Sequence, residues 1–306
     1  MSKDRNLGYK ENQIVEDDFI ASKDYVNIDD ITIVIPTLNE EAAIGLVLEN
    51  ILQEGFEKIL VVDGDSTDGT IDNVKRYGVE HIIQEGNGKT GAIKTAINHI
   101  TTPYFIMLDG DCTYSAKNIE TLLSHIGENS ETIGARTKGR ENISPLNRFG
   151  NWVINKAFNL IFGTNLTDVC SGMYLLNTQF SRQIMLETEG FDVEVEIAAH
   201  AAYNQSVGET PIEFFPRVGI QKLRPFRDGA KIMYRIFRLG LKFHPTRVIC
   251  LLSISLLLPG LFLIGLHLYG NPQFQSFFAG LTMVILAIQG TTLYIVDTKI
   301  KKINKK

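Results

Sequence analysis

The chain has 306 residues, of which 44% are hydrophobic and 21% are charged, and its formal net charge is -5. A chain of this length can bury one sizeable core and still carry an appendage. The acidic balance argues against nucleic acid as the main partner, because phosphate backbones are held by clustered lysines and arginines. Three scattered cysteines, Cys112, Cys170 and Cys250, fit neither a disulfide framework nor a zinc site.

Short β-branched segments alternate with helical segments from Ile31 onward. The expected strands are ITIVIP, KILVVD, HIIQ and YFIML, and the expected helices are residues 40–54, 70–77 and 90–100. This alternation predicts an α/β fold with a mainly parallel sheet and flanking helices. Such sheets bind ligands beyond the carboxyl ends of their strands, so the candidate site comprises loops 36–40, 63–69, 86–91 and 109–111.

The loop DGDSTDGT resembles a calcium-binding loop but departs from its pattern. Its glycine falls one position late, and its twelfth position is Val74 where a glutamate is required. Ser66, Thr67 and Asp68 are therefore expected to turn the chain and to cap the helix that follows. Asp63, at the end of its strand, is expected to contact the ligand.

The loop GNGKTG resembles two nucleotide-binding motifs. It lacks the glycine that the phosphate loop of nucleotide triphosphatases places five residues before Gly88. It does fit the GxGxxG pattern, so a dinucleotide-binding protein is an open alternative. The position of this loop after the third strand, and the acidic residues of the two earlier loops, argue against that alternative.

The segment MLDGDCTY ends a hydrophobic strand in two aspartates, Asp109 and Asp111. On an extended chain, residues i and i+2 point the same way, so both carboxylates can reach one ion while Gly110 leaves room for a ligand. Carboxylate oxygens suit Mg²⁺ or Mn²⁺, and such an ion retains positions for substrate phosphates. We therefore expect the two aspartates to hold a divalent cation against a diphosphate.

The two ends of the chain predict attachment to the cell membrane. Residues 1–30 form a polar extension without a secretory signal, whereas residues 248–268 and 274–296 are each about long enough to cross a bilayer. We expect a two-span transmembrane hairpin at residues 247–298 and a basic tail at 299–306. Positive charge on both outer flanks predicts that the termini and the large α/β domain are cytoplasmic.

Two further segments have helical periodicity. Residues 223–246 are expected to form an amphipathic helix in the membrane interface, or else a packed helix that links the α/β domain to the hairpin. The apolar residues of this helix are Phe226, Ala230, Met233, Phe237 and Leu241, and its cations are Arg227, Lys231, Arg235, Arg238 and Lys242. Residues 145–162 are expected to pack in the core or to line a groove for an acceptor, through Phe149, Trp152, Val153, Leu160 and Ile161.

Seven motifs together resemble a known family. IVIPTLNEE, VVDGDSTDGT, GNGKTGA and MLDGDCTY resemble the inverting family 2 glycosyltransferases, which have the GT-A fold. LTDVCSGMYLL, GFDVEVEIA and TPIEFFPRVGIQKLRPFRDG are similar to the branch that makes dolichyl-phosphate and other polyprenyl-phosphate sugars, especially the archaeal enzymes that load the first N-glycan sugar. The chain departs from the family pattern at Gln221 and Gly110.

The resemblance implies an activity for residues 31–222. It implies transfer of a hexose or N-acetylhexosamine from a nucleotide diphosphate sugar, a UDP-sugar or GDP-mannose, to dolichyl or another polyprenyl phosphate, with inversion and with Mg²⁺ or Mn²⁺. A family 2 transferase with another glycan acceptor, and a membrane-tethered nucleotide-binding protein without catalysis, are the open alternatives. The oligomeric state is not predicted.

The resemblance also implies roles for individual residues. The nucleotide sugar would contact Pro36, Asn39, Glu40, Asp63, Asp65, Lys89, Asp109, Gly110 and Arg136. The metal would be held by Asp109 and Asp111. Catalysis would involve Asp111, Asp168, Arg217 and Lys222, and the acceptor side would comprise Asp168, Glu194 and Glu196, as bases or as positioning groups.

Overall fold

The computed structural model describes residues 30–188, 190–219, 224–269 and 274–304. The expected N-terminal extension and Lys222 lie outside the described residues. Most of the expected turn between the two apolar segments, and the end of the expected basic tail, also lie outside the described residues.

A seven-stranded mixed sheet forms the centre of the fold, in the order β3-β2-β1-β4-β6-β5-β7. The strands are β1 (Ile31–Thr37), β2 (Ile59–Asp63), β3 (Glu80–Ile83), β4 (Tyr104–Met107), β5 (Glu131–Lys138), β6 (Tyr174–Asn177) and β7 (Val207–Glu213). β1 pairs in parallel with β2 and β4, β2 with β3, and β5 with β7. The prediction of a mainly parallel sheet is therefore confirmed.

Eleven α-helices flank or extend this sheet within the described residues. They are α1 (Glu41–Gln53), α2 (Thr70–Arg76), α3 (Gly88–His99), α4 (Lys117–Leu123), α5 (Pro145–Phe162), α6 (Thr178–Gln183), α7 (Val193–Tyr203), α8 (Pro225–Phe243), α9 (Pro245–Ser255), α10 (Leu257–Leu268) and α11 (Phe274–Asn304). α5 coincides with its predicted range, and α1, α2 and α3 differ from theirs by one or two residues at either end.

The sequence of β1 shows why the parallel part of the sheet formed by β3, β2, β1 and β4 could be predicted. Ile33, Val34 and Ile35 are fully buried and face alternate sides of the sheet. The odd positions pack with α1, through residues such as Leu48, and the even positions pack with α3, through residues such as Ile93. A strand buried on both faces gives a continuous β-branched run, which is the pattern that the sequence shows.

β6 was not predicted, and it brings a distant segment to the site. It pairs antiparallel with both β4 and β5, with Met107 opposite Tyr174. The chain that enters β6, residues 168–172, therefore passes beside the aspartates that leave β4. The antiparallel pairing joins the two parallel halves of the sheet and completes one edge of the candidate site.

The first apolar segment is a broken helix. Two ranges of the described residues, Pro245–Leu268 and Gln275–Ile300, are long and apolar enough to cross a membrane. α9 ends and α10 begins around Leu256, and Pro259 lacks the amide that would bond the carbonyl of Ser255, which accounts for the break.

α8 has both of the features expected of it. Ile232, Ile236 and Leu239 are buried in a cluster with α5 and α7, while Phe226 is largely exposed. Two of its cations are paired: Arg235 and Lys242 bind Glu187 at 3.5 and 3.0 Å. The helix thus packs on the catalytic domain and also presents an apolar surface outward.

Candidate active site

Each aspartate that follows β4 is paired with a cation. The Lys89 ammonium lies 2.6 Å from Asp109 Oδ1, and Arg217 Nη1 lies 2.8 Å from Asp111 Oδ2. The two aspartates occupy a turn, not the extended chain that was expected, and Cys112 has a φ of 65°. The carboxylates are nonetheless close enough for the charge of Asp109 to raise the pKa of Asp111.

Asp111 is held rigidly by its own turn. Its Oδ1 accepts hydrogen bonds from the Thr113 amide at 3.1 Å and from the Thr113 hydroxyl at 2.5 Å. Burial raises the pKa of Asp111, and the charge of Asp109 adds to that effect, while Thr113 and Arg217 oppose it. The carboxylate is therefore fixed in position, and one of its oxygens contacts a cation.

Lys89 joins α3 to α7 across the site. Its ammonium lies 2.6 Å from Asp109 and also 2.6 Å from Glu194 Oε1, in the first turn of α7. Burial lowers the pKa of Lys89, but the charges of the two carboxylates outweigh burial and raise it well above its usual value. Lys89 is therefore a buried permanent cation that fixes Asp109. Glu194, predicted for the acceptor side, is its second partner.

Arg217 joins the segment after β7 to the loop before α1. Its Nη2 donates to Glu40 Oε1 at 2.7 Å, and its Nη1 contacts Asp111. A hydrogen bond fixes the backbone beside Arg217 to the aspartate turn, because the Val218 amide donates to the Asp111 carbonyl at 3.0 Å. Among the described residues, Arg217 Nε is buried without a hydrogen-bond partner, so the guanidinium has a donor available for a further acceptor.

The segment before β6 supports Asp109 through a glycine. A Cβ added to Gly172 would overlap the Asp109 carboxylate, so this position has no room for a side chain. The Gly172 amide donates to the Tyr114 hydroxyl at 2.7 Å. Gly172 lies within LTDVCSGMYLL and Tyr114 within MLDGDCTY, but no role was predicted for either residue. The close approach of Gly172 to Asp109 depends on the antiparallel pairing of β6 with β4.

The loop after β2 binds the loop after β1. Asp63 is buried, and its oxygens accept from the Thr37 hydroxyl at 3.1 Å and from the Ser66 amide and hydroxyl at 2.7 and 2.5 Å. Asn39 Oδ1 accepts from the Thr67 amide at 2.8 Å. Asp63 is therefore occupied in shaping the loop, whereas Asp65 is exposed with a φ of 67°.

The turn expected at Ser66, Thr67 and Asp68 forms, but the cap expected of these side chains does not, because the N-cap of α2 is Gly69 and no side chain caps it. Asp68 Oδ1 accepts from the Thr70 amide at 3.0 Å, at the start of α2, and its Oδ2 accepts from the Glu41 amide at 3.2 Å. Burial raises the pKa of Asp68, but the hydrogen bonds from Thr70 and Glu41 outweigh it and lower the pKa overall. The DGDSTDGT loop is therefore a turn that ties the start of α2 to the start of α1.

Arg136 and Asp168 are each other's partners. Arg136 donates to both oxygens of Asp168, at 2.6 Å from Nε and 2.7 Å from Nη2, and the Arg136 amide donates to Asp168 at 3.0 Å. Both side chains are nearly buried. The pair therefore ties β5 to the segment that enters β6, and the substrate roles of Arg136 and Asp168 stay predictions.

Glu196 and Gly110 serve the fold. Both oxygens of Glu196 accept from the Glu187 amide at 3.0 Å, and one also accepts from the Thr188 amide. Its carboxylate therefore closes the loop before α7. A Cβ on Gly110 would approach the Thr37 side chain at 3.1 Å, so β1 fills the space on that side of the glycine, and ligand approach at Gly110 stays a prediction. Pro36 is half-buried in β1.

The chain belongs to glycosyltransferase family 2, because residues 32–185 match the family described as "Glycosyl transferase family 2". The predicted family is therefore confirmed. Among relatives, "Glycosyltransferase AglJ" of Haloferax volcanii is 35% identical over 69% of this chain and 72% of its own length. "Dolichyl-phosphate hexose transferase" of the same organism is 32% identical over 70% of this chain and 95% of its own length.

The fold is shared with a solved enzyme structure. Glucosyl-3-phosphoglycerate synthase of Mycobacterium tuberculosis, crystallised with Mn²⁺, UDP-glucose and phosphoglyceric acid, aligns with a TM-score of 0.56. The alignment covers 71% of this chain and 79% of that chain at 18% identity. This similarity confirms the GT-A prediction for the fold.

Proposed function

We propose that this protein transfers a hexose or N-acetylhexosamine from a nucleotide diphosphate sugar to a polyprenyl phosphate, with inversion at the anomeric carbon. The observation that carries the proposal is the arrangement of Asp109 and Asp111 with Lys89 and Arg217 at one edge of the sheet. Two carboxylates and two cations at one point suit a phosphorylated donor. A relative named for transfer to dolichyl phosphate supports the lipid acceptor.

The aspartates fit a divalent cation that shares its coordination with the donor. No group of three or more His, Cys, Asp and Glu side chains within the described residues could hold a metal ion. Two carboxylates beside a half-buried guanidinium, whose Nε has no hydrogen-bond partner among the described residues, suit an ion held jointly by protein and phosphates. Asp109 and Asp111 would hold Mg²⁺ or Mn²⁺, which would neutralise the charge that develops on the leaving nucleoside diphosphate.

The two cations would have different tasks. Lys89 is enclosed by Asp109 and Glu194, so it would hold the Asp109 carboxylate in position. Arg217 is more exposed, and it would exchange its contact with Asp111 for the donor diphosphate, because a guanidinium binds phosphate oxygens in a fork. Glu40 would retain the other side of Arg217 during this exchange.

The acceptor needs little help from a base. A phosphate monoester has a second pKa of about 6, so it is largely a dianion near neutral pH. Its oxygen would form the new bond to the anomeric carbon, while the bond from that carbon to the diphosphate oxygen breaks and the nucleoside diphosphate leaves. Asp168, which Arg136 holds in place, would therefore serve the acceptor side by its position.

The apolar helices would bring the site to its lipid acceptor. Pro245–Leu268 and Gln275–Ile300 would cross the membrane, and α8 would lie at its surface next to the first span. The basic residues of α8 and of the C-terminal end lie on the outer flanks of the hairpin, so both ends and the catalytic domain would be cytoplasmic.

The test is a donor panel. Purified protein is incubated with dolichyl phosphate and radiolabelled UDP-glucose, UDP-N-acetylglucosamine or GDP-mannose, with Mg²⁺, Mn²⁺ or EDTA. A labelled, acid-labile lipid from one donor, absent with EDTA, is the expected result. The proposal fails if no donor gives labelled lipid although the protein binds a nucleotide, since that outcome favours a binding protein or another acceptor.

A further inference from the structure

A cleft of about 460 Å³ lies between the end of α5 and the apolar helices. Its walls come from α5, α9 and α11, through side chains such as Leu160, Leu251 and Tyr294. Core packing was one expectation for Leu160, but this side chain is 59% exposed. None of the described residues that were assigned to the active site lines the cleft. The cleft is therefore a separate feature, at the junction of the α/β domain with the apolar helices.

Arg247 is the one charged side chain among the described residues that line this cleft. Its Nη1 donates to the carbonyl of Ile161 at 3.1 Å, and its Nη2 donates to the Tyr294 hydroxyl at 3.5 Å. A Cβ on Gly163 would overlap the guanidinium, so Arg247 lies flat against the end of α5. A guanidinium has more N–H donors than these two bonds use, so donors remain for a further acceptor.

Arg247 differs from the arginines of the active site and of α8 in having no anion partner. Arg136, Arg217 and Arg235 each contact a carboxylate, whereas Arg247 forms no ion pair within the described part of the chain. Asp297 of α11 accepts a hydrogen bond from the neighbouring Thr246 at 2.7 Å instead. A half-buried cation beside apolar side chains favours an anion that comes from outside the chain.

The polarity of the cleft changes along its length. Arg247 lies near the start of the first apolar range, and Tyr294 lies near the end of the second. Leu251 and Ile254 follow Arg247 at helical spacing, so they lie on the same side of α9 and reach about 10 Å further along the span. In a membrane the cation and the phenol would be level with the headgroups, and the two apolar side chains would be level with acyl chains.

A second cleft between the same helices provides a comparison. It has a volume of about 480 Å³ and is lined by residues of α9 and α11 such as Leu252 and Leu293. No charged side chain lines it among the described residues. Both clefts have room for an acyl chain, but the first one also offers a cation for a headgroup.

We infer that the cleft at Arg247 binds one glycerophospholipid with a net negative headgroup. Its phosphate oxygens would contact Arg247, and one acyl chain would lie along Leu251 and Ile254. The inference rests on the membrane attachment that forms part of the proposed function. The bound lipid would fill the space between α5 and the two spans and thereby strengthen the junction between the α/β domain and the hairpin.

The phosphate at Arg247 is distinct from the acceptor phosphate that reacts. α5 begins close to the active-site edge, because it follows the end of β5. Asn155 Oδ1 accepts from the Val169 amide at 2.8 Å, which places the adjacent Asp168 level with the middle of α5. Ile161, which Arg247 contacts, lies about 9 Å further along the helix. Arg247 therefore lies beyond the acceptor-side aspartate, on the side away from the start of α5.

Native mass spectrometry of the full-length protein tests the inference. The protein is purified in detergent, depleted of lipid, and mixed with phosphatidylglycerol, phosphatidylcholine or dolichyl phosphate. We expect one phosphatidylglycerol to be retained per protein. Phosphatidylcholine should be retained less, because its choline cation cancels the net charge that attracts Arg247.

Three variants sharpen the test. Arg247→Leu should weaken phosphatidylglycerol binding roughly tenfold or more, because a charge-assisted hydrogen bond is lost. Ile254→Trp fills the apolar part of the cleft and leaves the cation in place, so it should also weaken binding. Lys299→Leu removes an exposed positive charge from α11 outside the cleft and should bind like the parent.

Thermal unfolding in detergent shows whether the bound lipid strengthens the fold. A ligand that binds the native state alone raises the unfolding temperature. Phosphatidylglycerol should therefore raise the unfolding temperature of the parent and of Lys299→Leu, and should raise it less for Ile254→Trp. The same rise for the parent and for Ile254→Trp would place the lipid elsewhere.

Three outcomes of the binding measurement would overturn the inference. Equal retention of phosphatidylglycerol by Arg247→Leu and the parent would show that the guanidinium only caps α5. Equal retention of phosphatidylcholine and phosphatidylglycerol would show that the headgroup charge is not recognised. Displacement of phosphatidylglycerol by an equal amount of dolichyl phosphate would make the cleft part of the acceptor path.

These measurements separate the inference from the proposed function. They require no donor, metal or turnover, so a negative transfer assay leaves their results intact. If alkaline carbonate extracts the protein from liposomes, the membrane attachment fails and this inference fails with it. If the protein stays in the membrane but retains no phosphatidylglycerol, only the lipid site is refuted.

Discussion

The charged side chains of the active-site edge are paired within the protein, whereas many apolar side chains of the outer helices are exposed. At the active-site edge Lys89 and Arg217 each contact two carboxylates, and Arg136 is paired with Asp168. On α5, α8 and the apolar helices, large apolar side chains such as Phe226 and Leu258 remain exposed. Each of these charged groups contacts an opposite charge, although four carboxylates share the two cations Lys89 and Arg217, whereas the apolar side chains of the outer helices remain exposed.

This difference indicates how each region would respond to its ligand. A donor diphosphate would replace a carboxylate as the partner of a cation that is already paired. Binding would therefore change the partners of the charged groups more than the number of ion pairs. A bilayer removes apolar surface from water and disturbs no ion pair. Changes to the paired charges should therefore have large effects on activity or stability, and changes to the exposed apolar residues should have small effects on folding.

Replacement of Asp111 should have the largest effect. Asp111→Asn removes a carboxylate that would hold the divalent cation and leaves Arg217 with Glu40 alone. We expect sugar transfer to fall by roughly 10³-fold, the scale seen when one charge-stabilising group is lost from an active site. Initial rates of purified protein measure it, with Asp72→Asn on the surface of α2 as the control. Retention of more than a tenth of the activity would contradict the assignment.

Replacement of Asp168 should act mainly on stability. Asp168→Asn leaves Arg136 charged and nearly buried without its carboxylate, which costs about 3–5 kcal/mol. Thermal or urea unfolding measures the loss. The double variant Arg136→Met with Asp168→Leu should be more stable than the single variant, because no unpaired charge remains. A single variant as stable as the parent would show that the pair is not a structural one.

A methyl group at Gly172 should disturb the site without unfolding it. Gly172→Ala would push the Asp109 carboxylate away from Lys89. We expect a loss of activity of roughly 10²-fold, because a displacement of about 1 Å at a reacting group has effects of that size. Gly150→Ala, where a Cβ meets open space, is the matched control and should be silent. Equal activity of the two variants would refute the support by Gly172.

Glu131 differs from the paired charges of the active-site edge, because one of its carboxyl oxygens has no partner among the described residues. Glu131 is buried, and its Oε2 has no hydrogen-bond partner among the described residues. Burial raises the pKa of Glu131 well above 4.5, and the negative charge of Glu194 raises it further. Because the folded-state pKa exceeds the unfolded value, this group lowers stability as pH rises from 4.5 to the raised pKa, and the loss is constant above it.

The prediction for Glu131→Gln follows from that sign. The variant should match the parent near pH 4.5 and become more stable than it at higher pH, by about 1.4 kcal/mol for each unit of the shift. Urea unfolding at several pH values measures the difference, with exposed Glu120→Gln as the control. A constant difference across pH would show that Glu131 does not titrate as inferred.

The smallest effect is expected on the outer surface. Phe226 is 78% exposed on α8, so Phe226→Ser should change the free energy of unfolding in detergent by no more than about 0.5 kcal/mol. Loss of several kcal/mol would mean that α8 packs against protein through this side chain, and would remove the contrast between the two regions.

The parallel half of the fold could be predicted from the sequence for a physical reason. Strands buried on both faces, such as β1, leave continuous β-branched runs, and the helix of α5 begins at Pro145 with Ser144 as its N-cap. β6 could not be predicted, because its pairing with β4 and β5 is a long-range contact that leaves no periodic signal. The break at Leu256 was missed, although Pro259 marks it.

The sequence predicted which residues form the site better than it predicted which of them pair with each other. Asp109, Asp111, Lys89 and Arg217 do lie together, because β3, β4 and β7, which precede them, run in the same direction and end at one edge of the sheet. The sequence did not indicate that Arg136 would neutralise Asp168, since ion pairs between distant segments depend on the tertiary fold. The sequence likewise showed that α5 carries many apolar side chains, but only packing decides which of them are buried.

The measurement that tests the central claim most directly is acceptor discrimination. Purified protein with its preferred sugar donor and divalent cation is offered dolichyl phosphate, dolichol, or a soluble oligosaccharide, and labelled products are separated by organic extraction. The account predicts a labelled lipid from dolichyl phosphate alone, because the acceptor phosphate is the nucleophile. Labelled oligosaccharide, or labelled lipid formed equally well from dolichol, would contradict it.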